Sequence, residues 1–125
     1  MNNNHQSEQD YLEKILMLSK KLNCVRSIDI AQFMGFSKAS VSVAMKKLEE
    51  KKLINFDRIS GSITLTVSGE TIAKQVLKRH ETLCEFFKSI GVTDVTAEDD
   101  ACKIEHDLSE ETFRCLENYL KEFKK

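Results

Sequence analysis

The stretch between Ser27 and Thr66 constrains this chain more than any other, because its hydrophobic period changes there from helical to alternating within a short span. A capping serine at Ser27 is followed by Ile28, Ala31 and Phe33 and then by Gly35, the pattern of a short helix stopped by a residue that can turn left-handed. Phe36 and Ser37 restart the chain. Val41, Ala44, Met45 and Leu48 then recur at helical spacing, which predicts a helix over residues 37–51 with those four on its buried side. From Leu53 the period falls to two: residues 53–57 and 62–66 alternate apolar and polar side chains, and Arg58-Ile59-Ser60-Gly61 between them has hairpin-turn chemistry. Two short helices joined by a glycine-containing turn and followed at once by a hairpin describe a helix-turn-helix with a β-hairpin wing.

The flanking segments are helical. Ser7-Glu8-Gln9-Asp10 reads as an N-cap with an acid three positions on, and Tyr11, Leu12, Ile15, Leu16 and Leu18 extend a first helix over residues 7–22. A fourth helix starts near Ser68, with Ile72, Val76, Leu77, Leu83, Phe86, Phe87 and Ile90 on a broad apolar face that Gly91 ends. Residues 94–106 form an acid-rich fifth helix, and Ser109-Glu110-Glu111 caps a sixth that carries Phe113, Leu116, Tyr119, Leu120 and Phe123. The fold expected is mainly α: an N-terminal winged helix-turn-helix with a two-stranded wing in residues 1–70, then an all-α domain in residues 71–125. The last helices carry more apolar surface than so small a head needs, so a symmetric homodimer is expected.

With 125 residues the chain can bury one core, or a small head and a dimerising tail, which excludes a pair of large catalytic domains. No apolar run approaches the roughly 18 residues of a membrane span, and the first residues lack the basic and apolar blocks of a signal peptide. A cytoplasmic protein without a membrane partner is expected. The net charge of −1 hides an asymmetry: residues 14–58 hold ten Lys or Arg against four acids, a net of +6, while residues 94–112 hold eight acids and only Lys103, a net of −7. A polyanion would meet only the basic half, which makes double-stranded DNA the expected partner. Ser37, Lys38, Ser40 and Ser42 stand at the start of the recognition helix, where base edges of the major groove are read, and Lys46, Lys47 and Arg58 can neutralise phosphates. A charged helix face is ordinarily just solvated, but here the hairpin, the turn spacing and the basic half agree.

Four cysteines, Cys24, Cys84, Cys102 and Cys115, form no Cys-x-x-Cys pair, so neither a zinc ribbon nor a thioredoxin-type motif is present. Cys102-Lys103-Ile104-Glu105-His106 is the strongest local signal, because on a helix the thiolate, carboxylate and imidazole at i, i+3 and i+4 converge as ligands of one ion must. An acidic helix also sets a Glu beside a His by chance. Further donors are His80, on an apolar stripe where a histidine is more often a satisfied core residue, and Asp10 and Glu13, first-turn acids that a helix dipole favours without any metal. Spacing alone therefore leaves a metal site open. It also leaves two rivals: a metal-independent winged-helix regulator sensing an oxidant or small molecule through Cys84 or Cys102, and a metalloenzyme. No general base in a pocket motif and no glycine-rich substrate loop supports the latter, so no enzyme is expected.

The segments Asp10-Tyr11-Leu12-Glu13, residues 27–50, Leu65-Thr66-Val67-Ser68-Gly69, Arg79-His80-Glu81 and residues 102–109 together resemble the iron- and manganese-dependent repressors that include the diphtheria toxin repressor and the manganese transport regulator. The resemblance spans nearly the whole chain in order. It implies a dimeric repressor of metal-uptake genes, in which Mn²⁺ or Fe²⁺ joins the first helix to an all-α dimerisation and metal-binding domain and sets the two recognition helices for operator DNA. Asp10, Glu13, His80, Glu105 and His106 match metal-binding positions of the manganese-type branch. Cys102 departs from that branch, which usually has glutamate there; the iron-type branch has cysteine, but usually methionine in place of Asp10. The thiolate suits Fe²⁺, Co²⁺ or Zn²⁺ and the carboxylates suit Mn²⁺. Cys84 and Glu98 stand where the iron-type second site commonly has glutamate and histidine, so that site does not carry over intact. The compact two-domain build is implied, without the SH3-like third domain. Ala39 and Val43 stand at positions that often carry proline or serine and a polar base-contacting residue, so the operator sequence does not transfer.

Overall fold

A computed structural model describes the backbone of residues 3–123 and the side chains of residues 7–122. Its elements are α1 (Asn3–Ser19), α2 (Ser27–Met34), α3 (Lys38–Glu50), β1 (Ile54–Phe56), β2 (Ile63–Leu65), α4 (Val67–Ser89), α5 (Asp94–Ile104) and α6 (Glu110–Phe123). They make two compact units that divide after Lys74, inside α4. No helix among the described residues is long and apolar enough to cross a membrane.

In the first unit, Leu12, Ile15, Ile30, Val41, Leu48 and Ile63 form a core that is almost wholly sealed from solvent. The turn between α2 and α3 forms as its residues predict. Gly35 sits at φ 73°, a left-handed position that relieves glycine of any Cβ clash, and its N–H and that of Phe36 both return to the Ala31 carbonyl. Ser37 then caps α3, its hydroxyl accepting from the Ser40 N–H at 3.1 Å. Val41, Met45 and Leu48 are buried, while Ala44 is only half-buried. The wing pairs Ile54 with Leu65 and Phe56 with Ile63, and β2 is held further by Ile63 N–H donating to the Val25 carbonyl at 2.7 Å. At the hairpin tip the Asp57 carboxylate accepts from the N–H of Ile59 at 2.9 Å and of Ser60, which holds its pKa below the usual carboxylate range.

Several boundaries differ from the expected ones. Helix α1 begins at Asn3, so Ser7 lies inside it and is no cap, and it ends at Ser19, whose hydroxyl bonds back to the Leu16 carbonyl. Ser27 is the first residue of α2; the cap is Arg26, whose N–H donates to the Asp29 carboxylate at 2.9 Å. Helix α4 starts at Val67 because Thr66 bridges three places: its hydroxyl donates to the Lys52 carbonyl and accepts from Gly69 N–H, and its own N–H donates to the Leu53 carbonyl. A Cβ on Gly69 would lie 2.0 Å from the Leu53 oxygen, so the start of α4 packs on the wing strand only because that residue has no side chain. Ile90 lies beyond the end of α4 and is 62% exposed, outside the apolar face assigned to it.

The second unit is built around Leu83, Cys84 and Ala101, with Phe87, Ile104, Leu108 and Leu116 packed on them. Two alanines one turn apart, Ala97 and Ala101, are fully buried and leave room for α5 to press its backbone onto the core. Ser109 caps α6 as expected, accepting from the Thr112 N–H at 3.1 Å, and Phe113 and Leu120 are buried. Phe123, expected on the same face, lies outside the described side chains. Helix α5 stops at Ile104, two residues short of the expected end. Beyond that end the Arg79 guanidinium donates to the carbonyls of Glu105 (3.3 Å) and Leu108 (2.7 Å), pairs with Glu110 and stacks over Phe113. It thereby satisfies carbonyls that the end of the helix leaves without an intrahelical partner.

Candidate metal centre and nucleic-acid interface

His80 projects from the middle of α4 and is the point on which the second unit's metal-type donors converge. Its Nδ1 lies 2.8 Å from Glu105 Oε2, its Nε2 lies 2.7 Å from Glu98 Oε2, and Cys84 Sγ stands 3.5 Å from the same Nε2. Donor atoms of His80, Cys102 and Glu105 lie within 4.8 Å of one another, and so do those of His80, Cys84 and Glu98. The placement follows from helix periodicity. His80 and Cys84 are one turn apart on α4, Glu98 and Cys102 are one turn apart on α5, and Glu105, the residue that caps α5, keeps αR dihedrals and so continues that face.

The electrostatics around His80 favour a positive charge on its ring. The His80 pKa is pushed up to about 11, first by its hydrogen bond to Cys102, then by Glu105 and Glu98, against a burial effect that works the other way. Glu98 is lowered by its bond to His80, and burial pushes the Cys84 thiol up. In the metal-free protein the cluster therefore keeps a proton on His80 at neutral pH. A divalent ion can replace that proton, since imidazole, thiolate and carboxylate together form a donor set for a borderline transition metal.

The spacing supports that fit. A tetrahedral ion about 2.05 Å from an imidazole nitrogen and about 2.3 Å from a thiolate sets those two atoms roughly 3.6 Å apart. Cys84 Sγ and His80 Nε2 are 3.5 Å apart as they stand. The carboxylate contacts of 2.7 and 2.8 Å are hydrogen-bond distances. They would open by roughly 0.6 Å to admit an ion. The Glu98 side chain, 56% exposed, is free to do so, whereas that of Glu105 is fully enclosed.

The expected trio of Cys102, Glu105 and His106 is thus rearranged. Cys102 and Glu105 share His80 as their third member, and His106 Nε2 lies 3.4 Å from the other carboxylate oxygen of Glu105. Because α5 ends before His106, the i+4 relation that predicted a common face does not hold there. Asp10 and Glu13 lie on α1 in the first unit. Asp10 is half-buried, and Glu13 is buried with the Lys14 ammonium 3.4 Å from its carboxylate. Two participants lacked a claimed place in the sequence reading, Cys84 and Glu98, and one had no role at all, Arg79. The i, i+4 spacing of His80 and Cys84 was the available signal; nothing in the sequence pairs Arg79 with carbonyls on the far side of α5.

In the first unit, Ser37, Lys38, Ser40, Ser42, Lys46 and Lys47 are all exposed, and Lys38, Ser42 and Lys46 fall one turn apart on a single stripe of α3. Val43 is 57% exposed beside them. Arg58 is exposed too, but it pairs with Glu49 at 3.2 Å and stacks on Phe56 beside the hairpin turn. Arg26 reaches the wing from the other side, its Nε donating to the Ser60 carbonyl at 3.0 Å. The exposed face of α3 thus carries hydroxyls, ammonium groups and a methyl-bearing side chain, next to a clamped hairpin.

Residues 5–61 match the N-terminal DNA-binding domain of the iron-dependent repressors, and residues 66–125 match the metal-binding and dimerisation domain of the same proteins. An uncharacterized HTH-type transcriptional regulator of Methanocaldococcus jannaschii is 34% identical over 121 residues, 95% of this chain and 96% of that one. The HTH-type transcriptional regulator MntR of Shouchella clausii is 37% identical over 103 residues, 82% of this chain and 71% of the relative. Among solved structures, a manganese-dependent transcriptional repressor in complex with manganese superposes with a TM-score of 0.83 at 28% identity, covering 91% of this chain and 52% of that chain. The manganese regulator SloR gives 0.81 at 26%, covering 91% and 53%. The chain spans about half the length of these two solved proteins.

Proposed function

The chain belongs to the iron-dependent repressor family, and we propose that it is a metal-dependent transcriptional repressor that binds operator DNA as a cytoplasmic homodimer when Mn²⁺ or Fe²⁺ is available. Residues 1–70 are the DNA-binding part and residues 71–125 the dimerising, metal-binding part. Metal-uptake genes are the targets that the resemblance implies. The family consists of repressors rather than enzymes.

The observation that carries the reading is the gathering of Cys84, Glu98, Cys102 and Glu105 around His80. The ligands proposed are Asp10, Glu13, His80, Cys102, Glu105 and His106. The ion supplies the charge and directional bonds that a single proton on His80 cannot. With it bound, the carboxylates need not be held apart by hydrogen bonds to one imidazole, and less ordering is left for DNA to impose. Ser37, Lys38, Ser40, Ser42, Lys46, Lys47 and Arg58 are the proposed DNA-contacting residues. Lys46 and Lys47 serve phosphates, the serines serve the groove, and Arg58 reaches phosphate only by leaving Glu49.

The test is fluorescence anisotropy of chelator-treated protein on a palindromic family-type operator, titrated anaerobically with Mn²⁺, Fe²⁺, Co²⁺ and Zn²⁺ in turn. Coupling of roughly 5- to 150-fold between metal and operator is expected, and operator must tighten metal binding by the same factor. Equal operator affinity with and without every ion would end the proposal. A ranking led by Co²⁺, Zn²⁺ or Fe²⁺ would assign selectivity to the thiols, and one led by Mn²⁺ to the carboxylates.

A further inference from the structure

Ser42, Lys46 and Glu49 follow one another at helical spacing on the side of α3 that faces the wing, and with Ser27, Phe56 and Arg58 they line a cleft of about 290 Å³. The polar lining is two hydroxyls, an ammonium, a guanidinium and a single carboxylate. All but the carboxylate suit an anion. The pair that spans the cleft is loose. Arg58 Nη2 straddles both oxygens of Glu49, at 3.2 and 3.4 Å, instead of meeting them through two nitrogens in the parallel fork that makes an arginine–carboxylate pair strong. The Arg58 side chain is 75% exposed, and its guanidinium carbon lies 5.6 Å from the centre of the Phe56 ring, a contact that does not depend on which anion the guanidinium holds. Glu49 stands in the last turn of α3, where the negative end of the helix dipole disfavours a carboxylate, so the helix itself gains nothing from it.

We propose that this cleft is the seat of one DNA backbone phosphate, shared by Lys46 and Arg58, and that Glu49 is a built-in competitor for that seat, whose carboxylate stands in for the phosphate and must surrender Arg58 before the duplex is gripped. This rests on the DNA-binding part of the function proposed above. Two exposed cations hold a free phosphate poorly, whereas a phosphate on a duplex that α3 already touches is delivered at high effective concentration. Phe56 keeps the guanidinium over the cleft while it changes partner. The carboxylate opposes binding in two ways, by holding Arg58 back and by repelling the incoming phosphate. Both are blind to base sequence and to the state of the second unit. Glu49 therefore lowers the affinity for every duplex, with and without metal, and keeps the residual grip of the metal-free protein weak.

The experiment is fluorescence anisotropy of the full chain on the palindromic operator and on a scrambled duplex of equal length, each with chelator and with Mn²⁺, for wild type, Glu49→Gln, Arg58→Ala and the double variant. Glu49→Gln should tighten binding roughly fivefold per subunit, on both duplexes and in both metal states. In the Arg58→Ala background that gain should shrink to about twofold or less. Unchanged affinity in Glu49→Gln would overturn the proposal. So would a gain confined to the operator, which would place Glu49 at base edges, or a gain that persists in full without Arg58, which would make it an effect of overall charge. Inorganic phosphate, exchanged for chloride at constant ionic strength, should not displace either duplex from Glu49→Gln. Displacement that the double variant abolishes would assign the cleft to free phosphate and overturn the backbone seat. The full gain together with metal-indifferent operator binding would uphold this inference and defeat the repressor reading. Metal-dependent binding left unchanged by Glu49→Gln would do the reverse.

Discussion

The two units handle polar side chains in opposite ways. In the first, each residue proposed to touch DNA is exposed and, apart from the pairing of Arg58 with Glu49, the groups that place it lie in its own helix or hairpin: Ser37 caps the helix that displays Lys38, Ser42 and Lys46, and Asp57 ties the wing tip to its own backbone. In the second, the metal-type donors run from the enclosed Glu105 and the largely shielded His80 to the exposed Cys102 and Glu98, and they are brought together by packing between α4 and α5. A surface for a large, rigid polyanion can be built from local rules. A pocket for one small ion cannot, because its donors must converge within a few ångströms from separate elements.

The largest effect that would test this contrast is at His80. His80→Ala removes the residue common to both donor groups and should lower Co²⁺ or Mn²⁺ affinity by about 100-fold, measured by competition with a calibrated chelator; a change under about threefold would show that the convergence is incidental. Gly69→Ala should be the most damaging change in the first unit. It drives a methyl into the Leu53 carbonyl and should cost about 3 kcal/mol, read from urea unfolding, and a neutral result would mean that α4 can slide off the wing.

A smaller, graded effect concerns pH. The folded His80 pKa, about 11, stands above its unfolded value of about 6.5. The stability it confers on the metal-free protein is therefore complete below the unfolded value and is lost as pH climbs from there towards the folded one. Thermal melts with chelator at rising alkaline pH should show a falling Tm, and His80→Gln should flatten that fall. The smallest effect is local: Ser37→Ala removes one cap and should cost about 1 kcal/mol, without moving the metal affinity. A shift in metal affinity would show that the first unit's local order is not self-contained.

The same division explains what the sequence disclosed. Gly35, Ser37, Ser109 and the alternation around the wing announced real elements, because turn chemistry, capping and pleat are settled within a few residues. The cysteine and glutamate at positions 102 and 105 were rightly read as sharing a face. His106 follows the end of α5 and meets the other carboxylate oxygen of Glu105, while Arg79, from another helix, takes up the carbonyls beyond that end. The end of α3 was legible to within a residue, although Lys52 just beyond it takes a left-handed φ of 61°, a conformation usually announced by glycine. Cys84 and Glu98 looked like departures from a known ligand pattern, and only the packing of α4 on α5 shows that they meet the same imidazole.

The ion pairs within the first unit bear on how its affinity for DNA would respond to salt. Each phosphate neutralised on a duplex releases condensed counterions, and log K falls with log salt by about 0.9 per phosphate. Lys51 is already engaged by Glu8 and Arg58 by Glu49, while Arg26 spends its side chain on the Ser60 carbonyl. The dependence on ionic strength should therefore be shallower than the ten basic residues between positions 14 and 58 suggest. Counterions would be displaced mainly through Lys38, Lys46 and Lys47 of α3, which form no salt bridge among the described residues.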